Sequence, residues 1–383
     1  MLKAYKYRIK PNKTQELKLN QFFGCTRFIY NWGLNRKSEA YSTDNTTISC
    51  FDLIKEVTEL KKSEDFYWLK DTNAQTLQMA LRNLDNAYTS FFKKKSSFPK
   101  FKKKSNRQSF QYPQGVRISE NKVFLPKIGW VKYYNSKDFT GDIKTVTVSK
   151  NPSGEYYVSI LVDNKQELPT KKPIQKSTTA GLDFGIKDLV ITSDGEVFEN
   201  QKHFYKMKAK LRVAQRSLAR KQKGSKSRDK QRQKVAKLYQ KVTNQRRDYL
   251  HKISSYLVSQ YDTICIEDLS VESMLKEKRL SSLISDASWS TLREFLTYKC
   301  EWQGKNLQVI GRFEPSSKRC NNCGNIKQSL LLSERVYKCE KCNVSLDRDL
   351  NAALNIKYYG LGHNLCTLTQ AAKLGVVQES HLI

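Results

Sequence analysis

The sequence predicts an α+β multidomain protein, and three observations support this fold class. First, 383 residues are enough for two or three domains that each bury their own core. Second, strand and helix patterns are grouped separately in the first half of the chain, whereas they alternate in the second half. Third, residues 165–178 lie between the halves, contain two prolines and lack apolar periodicity, which is typical of a linker.

The first half is predicted to form a β-barrel module that carries a helical insertion. Residues 2–9 alternate as a strand, and the apolar residues within 17–32 then follow helical spacing. A second amphipathic helix covers residues 73–92, and residues 144–162 are predicted to form two strands joined by a turn at 151–154. Because one strand precedes the helices and others follow them, the helices are interpreted as an insertion into a single β module.

The second half is predicted to alternate short strands with helices. Its predicted elements are two strands within 180–200, a long basic helical region over 204–261, a strand at 263–269, a helix at 288–305, a strand at 307–313 and a terminal helix at 351–360. A cysteine-rich segment separates the last strand from the terminal helix. Alternation of this kind predicts a sheet with helices packed against it.

Positive charge dominates the composition. The chain carries 69 Lys or Arg against 37 Asp or Glu, a formal net charge of +32. Such an excess repels itself in a compact fold unless a polyanion neutralises it, so nucleic acid is the expected partner. Residues 201–250 alone hold 18 Lys or Arg against two Asp. A solvated helical hairpin remains the alternative for that segment, although phosphate binding accounts better for so many like charges.

Four cysteines form two Cys-x-x-Cys pairs that are separated by fifteen residues: Cys320 with Cys323, and Cys339 with Cys342. This spacing predicts a structural zinc site, because each pair turns two sulfurs toward one ion and four sulfurs close its coordination sphere. Redox or coincidental cysteines are the alternative. The remaining cysteines, expected to be buried small hydrophobes in a reducing compartment, are Cys25, Cys50, Cys265, Cys300 and Cys366.

Three acidic positions stand out because of where they occur in predicted elements. Asp183 lies in GLDFGI, Glu267 lies in ICIEDL, and Asp347 and Asp349 precede LNAALNI. Each acid alone has an ordinary explanation as an exposed strand end or a helix cap. Together, an acid on a first strand, one on a later strand and one at the start of a terminal helix match the requirements of a two-metal phosphodiesterase on an RNase H-like sheet. Mg²⁺ prefers oxygen ligands, which is consistent with a set that lacks histidine.

These motifs also carry a family resemblance. The chain closely resembles the TnpB proteins of bacterial insertion sequences, relatives of type V CRISPR effectors, in GLDFGI, ICIEDL, SSKRCNNCG, KCEKC and DRDLNAALNI, with a basic helical segment after the first. The N-terminal stretches KAYKYRIKPNKTQ, CTRFIYNWGL and NAQTLQMALRNLDNAYTSFF match the same family. The resemblance therefore extends over the chain to about Tyr359.

The resemblance implies an RNA-guided DNA endonuclease of a bacterial transposon, built around a RuvC-like nuclease of RNase H fold. It implies a wedge-like β-barrel at 1–12 and 110–170, a helical recognition insert at 13–109, the nuclease domain at 171–315 and 346–360, and a zinc-binding module at 316–345. The tail at 361–383 receives no function. By position, Asp183, Glu267 and Asp349 are the expected catalytic residues and ligands of two Mg²⁺ ions, with Asp349 rather than Asp347 in the third place.

The expected partners are a guide RNA transcribed from the transposon end and a double-stranded DNA target, bound by a monomeric ribonucleoprotein. The chain has no N-terminal pattern of a secretory signal and no apolar run of membrane-spanning length, so a bacterial cytoplasmic, nucleoid-associated protein is expected. The zinc module is expected to fold the loop that bears Asp349 and to gate substrate entry.

Candidate nucleic-acid contacts lie in the first half. Guide pairing reads the target while the protein holds the duplex by its backbone, a task that suits Lys93, Lys94, Lys95, Lys100, Lys102, Lys103 and Lys104. Phe98 and Phe101 in the same segment are interpreted equally as base-stacking residues or as loop anchors. Asn73, Gln75 and Gln78 are candidates for reading a flanking DNA motif, with helix capping as the alternative for Asn73. Arg27 and Asn31 are expected either to contact nucleic acid or to pack the insert.

Three other functions fit parts of the sequence. A guided DNA-binding repressor would lack nuclease acids, so the presence of all three argues against it. A cut-and-paste transposase uses similar acids, but the closed zinc module and the lack of a separate recognisable helix-turn-helix argue against that class. A zinc-ribbon RNA-binding protein without catalysis would leave the three acids unexplained.

Overall fold

The computed structural model describes residues 1–363 apart from residues 106, 278 and 332. The prediction for Cys366 and most of the predicted tail lie outside these described residues. The chain divides into two compact units. The first comprises Met1–Glu167 with Arg232–Lys237, and the second comprises Leu168–Gln231 with the residues from Leu238 onward. No helix in the described part of the chain is both long and apolar enough to cross a membrane.

The first unit combines a sheet with a group of helices. Its elements are β1 (Leu2–Lys10), α1 (Lys13–Asp44), α2 (Cys50–Leu60), a 3-10 helix (Glu64–Asp71), α3 (Ala74–Phe92), β2 (Gln108–Tyr112), β3 (Arg117–Ser119), β4 (Lys122–Leu125), β5 (Gly129–Tyr133), β6 (Asp142–Lys150) and β7 (Tyr156–Asp163). The strands form a seven-stranded antiparallel sheet in the order β2-β6-β7-β1-β5-β4-β3. Among the described residues, β2 and β3 are the two edge strands of this sheet, and no pairing joins them. Closure of the sheet into a barrel therefore stays a prediction.

Alternation along the strands builds the core of this sheet. On β7, Tyr156, Val158, Ile160 and Val162 are buried, while the residues between them are only half-buried. This period of two is what a strand with one core-facing side requires. The predicted hairpin is confirmed, because β6 pairs with β7 along its length and the connection turns at residues 151–154.

The second unit is built around a mixed sheet. Its elements are β8 (Thr179–Asp183), β9 (Asp188–Thr192), β10 (Val197–Glu199), α4 (His203–Ala219), α5 (Lys226–Gln260), β11 (Thr263–Glu267), α6 (Val271–Met274), α7 (Ser281–Ala287), α8 (Trp289–Trp302), β12 (Asn306–Ile310), β13 (Val336–Lys338), β14 (Ser345–Asp347) and α9 (Arg348–Gly360). Five strands form a sheet in the order β10-β9-β8-β11-β12, in which β8, β11 and β12 are parallel. Two strands were expected within 180–200, but three are present because Val197–Glu199 adds an edge strand that pairs with β9.

Helix α9 packs very closely on the parallel strands. A Cβ atom on Gly181 of β8 would lie 2.1 Å from the carbonyl oxygen of Ala353 in α9. Similarly, a Cβ atom on Gly360 at the end of α9 would lie 2.2 Å from Sγ of Cys265 on β11. Both distances are too short for any side chain, so glycine at these two positions lets the helix backbone rest on the sheet.

Candidate carboxylate site and four-cysteine metal centre

Asp183 and Glu267 lie at the ends of neighbouring parallel strands. Strand β8 has the buried residues Thr179–Leu182 followed by Asp183, and β11 has the buried residues Thr263–Ile266 followed by Glu267. Leu182 pairs with Ile266 in the register of these strands. Because parallel strands that are in register end at the same edge, the two acids emerge side by side from the sheet.

Asp349 lies in the first turn of α9, which packs on both of these strands. The neighbouring Asp347 is the N-cap, since its Oδ1 accepts hydrogen bonds from the backbone amides of Asp349 at 2.9 Å and Leu350 at 3.0 Å. Capping therefore occupies the carboxylate of Asp347. The carboxylate of Asp349 instead lies 3.8 Å from the guanidinium of Arg335.

Asp183 is the acid whose pKa responds to both of the other carboxylates. Burial raises the pKa of Asp183 well above its usual value, and the charges of Glu267 and then Asp349 raise it further. Burial also raises the pKa of Glu267 and of Asp349. A carboxyl group whose ionised form is disfavoured by burial and by neighbouring acids is one that a cation would stabilise. Among the described residues, the three do not form a set whose ligand atoms all lie within 4.8 Å of one another.

The four predicted zinc-binding cysteines do come together in such a set. Their sulfur atoms all lie within 4.8 Å of one another, with 3.6 Å between Cys320 and Cys342 and 3.5 Å between Cys323 and Cys339. A zinc ion with four Zn–S bonds of about 2.3 Å has sulfurs about 3.8 Å apart, so the spacing suits a tetrahedral ion. The backbone amide of Val344 and the side chain of Asn322 lower the pKa of the Cys342 thiol to about 6, which favours the thiolate that binds metal.

Each cysteine pair is shaped by a turn with a residue of positive φ. In the first pair, the amide of Gly324, at φ 75°, donates to the carbonyl of Cys320 at 2.9 Å. In the second, the amide of Asn343, at φ 57°, donates to the carbonyl of Cys339 at 3.0 Å. Glycine and asparagine are the residues that tolerate this left-handed conformation. The hairpin of β13 and β14 follows the first pair, and the predicted module boundary at 345 divides β14.

The other cysteines are mostly buried, as predicted. Cys25, Cys265 and Cys300 are at most 1% exposed, whereas Cys50 at the start of α2 is only half-buried. Burial raises the pKa of the Cys265 thiol to about 12 and that of Cys300 to about 11. These thiols are accordingly unreactive packing groups.

Several candidate nucleic-acid residues have structural roles. Asn73 is the N-cap of α3, as in the alternative interpretation, because its Oδ1 accepts from the amide of Thr76 at 3.2 Å. Asn31 exchanges two hydrogen bonds with the backbone of Lys102, at 3.0 and 2.7 Å, and so fixes the lysine-rich segment on α1. Nζ of Lys102 lies 3.7 Å from the centre of the Tyr30 ring. Desolvation of that ammonium lowers its pKa.

The lysine-rich segment is anchored by one of its phenylalanines. The Phe98 ring contacts the rings of Tyr88 and Phe91 edge-on, with centroids 5.5 and 5.4 Å apart, so it holds the segment to α3. Phe101 remains 53% exposed. All seven lysines of this segment are exposed: Lys93, Lys94, Lys95, Lys100, Lys102, Lys103 and Lys104.

A polar cavity lies in the first unit between α1, α3 and β2. Its volume is about 90 Å³. The polar side chains that line it are Thr26, Arg27, Thr76, Asn83, Lys102, Lys103, Arg107, Gln108, Ser109 and Gln111. The Arg27 guanidinium donates to Oε1 of Gln108 at 2.7 Å, and the Asn83 amide donates to Oε1 of Gln111 at 3.1 Å. Gln75 and Gln78, the predicted motif-reading amides, are half-buried on α3 and do not line this cavity.

Sequence reasoning missed the cavity residues of β2 and one residue beside the acids. Ser109 and Gln111 alternate with the buried Phe110 and Tyr112, so the period of two did contain a signal for a polar face. Ser316, whose hydroxyl donates a hydrogen bond to Oε1 of Glu267, had no such signal. Its partner is 49 residues away in the chain, so only the tertiary structure reveals the contact.

Three family models match separate parts of the chain. One described as "Probable transposase" matches residues 159–278, one described as "Cas12f1-like, TNB domain" matches residues 289–356, and one described as "Helix-turn-helix domain" matches residues 1–46. Because a helix-turn-helix model matches residues 1–46, the predicted lack of a recognisable helix-turn-helix no longer argues against a transposase. Within residues 1–46, however, the structure has strand β1 and the single 32-residue helix α1, so no turn joins two helices there.

Similar proteins match almost the whole chain. A Streptomyces pristinaespiralis protein that is provisionally named an RNA-guided DNA endonuclease is 38% identical, with 95% of this chain and 90% of that protein covered. InsQ of Escherichia coli (strain K12), provisionally named in the same way, is 35% identical, with 93% and 91% covered. The chain of a solved Cas12f1–sgRNA–target DNA complex has a TM-score of 0.58 at 14% identity, over 90% of this chain and 82% of that chain.

The protein has a Cas12f-like α+β fold that includes a four-cysteine cluster. With relatives of 35–38% identity over nearly its full length, the chain belongs to the TnpB family, whose transposase-type model it matches.

Proposed function

We propose that the protein is an RNA-guided DNA endonuclease of a bacterial transposon, acting in the cytoplasm near the nucleoid. The observation that carries the proposal is the placement of Asp183 and Glu267 at the ends of neighbouring parallel strands, with Asp349 in the first turn of the helix that packs on both strands. Burial, and then the charges of Glu267 and Asp349, raise the pKa of Asp183. The names of the Streptomyces pristinaespiralis and Escherichia coli relatives support the same activity. We further propose that the second unit is a RuvC-like nuclease domain, since its strand order and mixed pairing suit an RNase H-like sheet.

The three carboxylates suit two Mg²⁺ ions, which prefer hard oxygen ligands. When bound, these ions would activate a water molecule and stabilise the leaving oxygen of the cleaved phosphodiester. In the proposal, Asp183 is the central ligand because burial and the charges of the other two acids make its ionised form the least favourable of the three without a cation. Glu267 and Asp349 complete the set from the next strand and from α9. We propose that the cysteine cluster holds one structural zinc ion, because its four sulfurs suit a closed tetrahedral site.

Charge on the described surfaces supports the nucleic-acid partners. We propose a guide RNA from the transposon end and a double-stranded DNA target, held by a monomeric protein. The guide would read the target by base pairing, while the lysines of residues 93–104 and the basic helices α4 and α5 contact phosphates. The dominance of lysine and arginine on these elements suits contacts that are independent of base sequence.

The polar cavity of the first unit is the proposed reader of the flanking DNA motif. Base edges are read by amides and guanidinium groups, and Gln111, Asn83 and Arg27 supply these groups at the cavity. The predicted readers Gln75 and Gln78, which do not line the cavity, and Asn73, which caps α3, remain the alternative proposal.

A plasmid library tests the proposed function. Protein co-expressed with the noncoding RNA encoded beside its gene is incubated with Mg²⁺ and plasmids that carry a guide-matched target next to randomised bases. Cutting only of matched plasmids, with depletion of a short flanking sequence, is the expected result. Tight guided binding without cutting by the wild type would instead establish a repressor, and joining of DNA ends into a new site would establish a transposase.

The same library tests the proposed motif reader. Gln111→Ala removes one amide from the cavity and is expected to relax discrimination at one flanking base by about 1–3 kcal/mol, because a bidentate amide contact to a base is worth that much. Gln78→Ala, on α3 but outside the cavity, is the matched control and should leave the depleted motif unchanged. A motif altered by Gln78→Ala and not by Gln111→Ala would return the assignment to the predicted readers.

A further inference from the structure

Ser316 is a buried serine beside one of the three carboxylates. Its hydroxyl donates a hydrogen bond to Oε1 of Glu267, and the residue is only 5% exposed. A hydroxyl in this position fixes the rotation of the carboxylate, because one oxygen is held while the other remains available to a cation. Hydrogen-bond partners of metal ligands orient them in this way in many metal sites.

The segment that carries Ser316 is held by a fully buried asparagine of α9. The side-chain amide of Asn355 donates to the carbonyl oxygens of Ser316 at 2.8 Å and Arg319 at 2.6 Å. In return, the Arg319 guanidinium donates to Oδ1 of Asn355 at 2.8 Å and lies 4.0 Å from the centre of the Tyr358 ring. Asn355 is fully buried, and these bonds give both of its side-chain polar atoms a partner. They also give partners to the carbonyls of Ser316 and Arg319 and to the Arg319 guanidinium.

A second buried asparagine of α9 extends this attachment toward the first cysteine pair. Asn351 donates to the carbonyl of Arg319 at 2.7 Å and accepts from the amide of Asn321 at 3.1 Å. Asn351 and Asn355 are four residues apart and therefore lie on one face of the helix. Asp349 begins the same helix, so α9 both carries one carboxylate and fixes the chain segment that contacts another.

We propose that Ser316 is a positioning residue for Glu267, and that Asn355 holds Ser316 in place, so that helix α9 sets the position of two of the three carboxylates. The inference rests on the proposed function, since it assigns Glu267 a cation to orient toward. It predicts that loss of the Ser316 hydroxyl weakens metal binding at the acids without weakening nucleic-acid binding.

The test compares single-turnover cleavage by Ser316→Ala, Ser316→Thr and Ser317→Ala across a range of Mg²⁺ concentrations. Ser316→Ala is expected to raise the Mg²⁺ concentration for half-maximal rate by roughly 10- to 100-fold, the usual cost of losing a partner of a metal ligand. Ser316→Thr keeps the hydroxyl and should recover most of this loss. Ser317→Ala removes the neighbouring hydroxyl, which is half-buried, and should behave as the wild type. Wild-type Mg²⁺ dependence in Ser316→Ala overturns the inference.

The role of Asn355 is tested by Asn355→Asp, which preserves the side-chain shape but removes the amide donor. It should shift the Mg²⁺ dependence in the same direction as Ser316→Ala, and the double variant should lose less than the sum of the two single effects. Strict additivity would show that Asn355 does not act through Ser316. Asn355→Asp is expected to lower the unfolding midpoint, because two buried carbonyls lose a donor. Thermal unfolding of each variant is therefore measured, and cleavage is compared well below every midpoint, which separates the positioning effect from loss of the fold.

A binding measurement keeps the inference separate from the nuclease proposal. Mn²⁺ binding to the purified protein, followed by the loss of the free Mn²⁺ electron paramagnetic resonance signal, requires no cleavage. Weaker Mn²⁺ binding in Ser316→Ala, with recovery in Ser316→Thr, supports the inference even if the wild type fails to cut DNA. Equal Mn²⁺ binding by all three proteins overturns it even if the wild type cuts.

Discussion

Asp183→Asn is expected to lower guided DNA cleavage by about 1,000-fold or more while guide and target binding persist. The substitution keeps the size of a side chain whose ionised form is disfavoured by burial and by the charges of Glu267 and Asp349, but it removes the charge that a cation would neutralise. The measurement is single-turnover cleavage by the ribonucleoprotein at saturating Mg²⁺, together with target binding in a gel-shift assay. Asp347→Asn is the matched control, because Asp347 caps α9 and an asparagine can accept the same backbone hydrogen bonds.

Asp183→Asn is expected to raise the stability of the metal-free protein, although it lowers cleavage. The pKa of Asp183 is raised in the folded chain, so above the unfolded value of about 3.9 the folded state binds more protons than the unfolded state. The free energy of unfolding of the wild type therefore falls as pH rises from about 4 toward the raised folded pKa. Asp183→Asn lacks this loss and should have the higher unfolding midpoint in metal-free buffer near pH 7, with the difference shrinking toward pH 4. A less stable variant at pH 7 would contradict the unfavourable burial of this charge.

Cys339→Ser is expected to abolish zinc binding and, with it, DNA cleavage. The four sulfurs form one closed set, and structural zinc sites contribute roughly 10–16 kcal/mol to the folding of small zinc modules. Around the cysteines, the described module has only a small core, formed by Tyr337 with Leu330, Val344 and Leu346, so it depends on the metal. Zinc content by plasma mass spectrometry should fall from about one ion per chain to near zero, and the 316–345 region should become sensitive to protease.

Cys50→Ser supplies the matched control for the zinc experiment. Cys50 is a half-buried thiol in the first unit and does not belong to the cysteine cluster. This variant should keep its zinc and its cleavage rate. Retention of a full zinc equivalent by Cys339→Ser would exclude the four-cysteine site, whereas cleavage by a zinc-free variant would show that the module is not needed for the reaction.

The sequence predicted the elements that bear the acids because local pattern dictates them. Four consecutive buried residues before Asp183, and four before Glu267, are the pattern of a strand covered on both faces. The cysteine spacing was equally local, and the four sulfurs lie together as predicted. The assignment of Asp183, Glu267 and Asp349 as catalytic residues stays a prediction, although the structure gives them a shared electrostatic environment.

What the sequence left out depends on contacts between distant residues. The hydrogen bond between Ser316 and Glu267 has no periodicity to signal it, and the strands of three and four residues at 117–119 and 122–125 are too short to show one. Asn73 illustrates a competing local effect, because the chemistry that suits an amide to base edges also suits it to a helix N-terminus. The structure shows the cap at Asn73, and it places Gln111 and Asn83 at a common cavity, which the sequence alone does not reveal.

The contact between Gly181 and the backbone of α9 sets the distance between Asp183 and Asp349. The backbone of β8 at Gly181 contacts the backbone of α9 directly, and the separation leaves no room for a single methyl group. The gap between the strand that ends in Asp183 and the helix that begins near Asp349 is thus a fixed length of the polypeptide backbone, independent of which apolar side chains fill the surrounding core. Repacking that core can change how firmly the domain folds while the spacing of its acids stays the same, whereas one added carbon at residue 181 would alter that spacing directly.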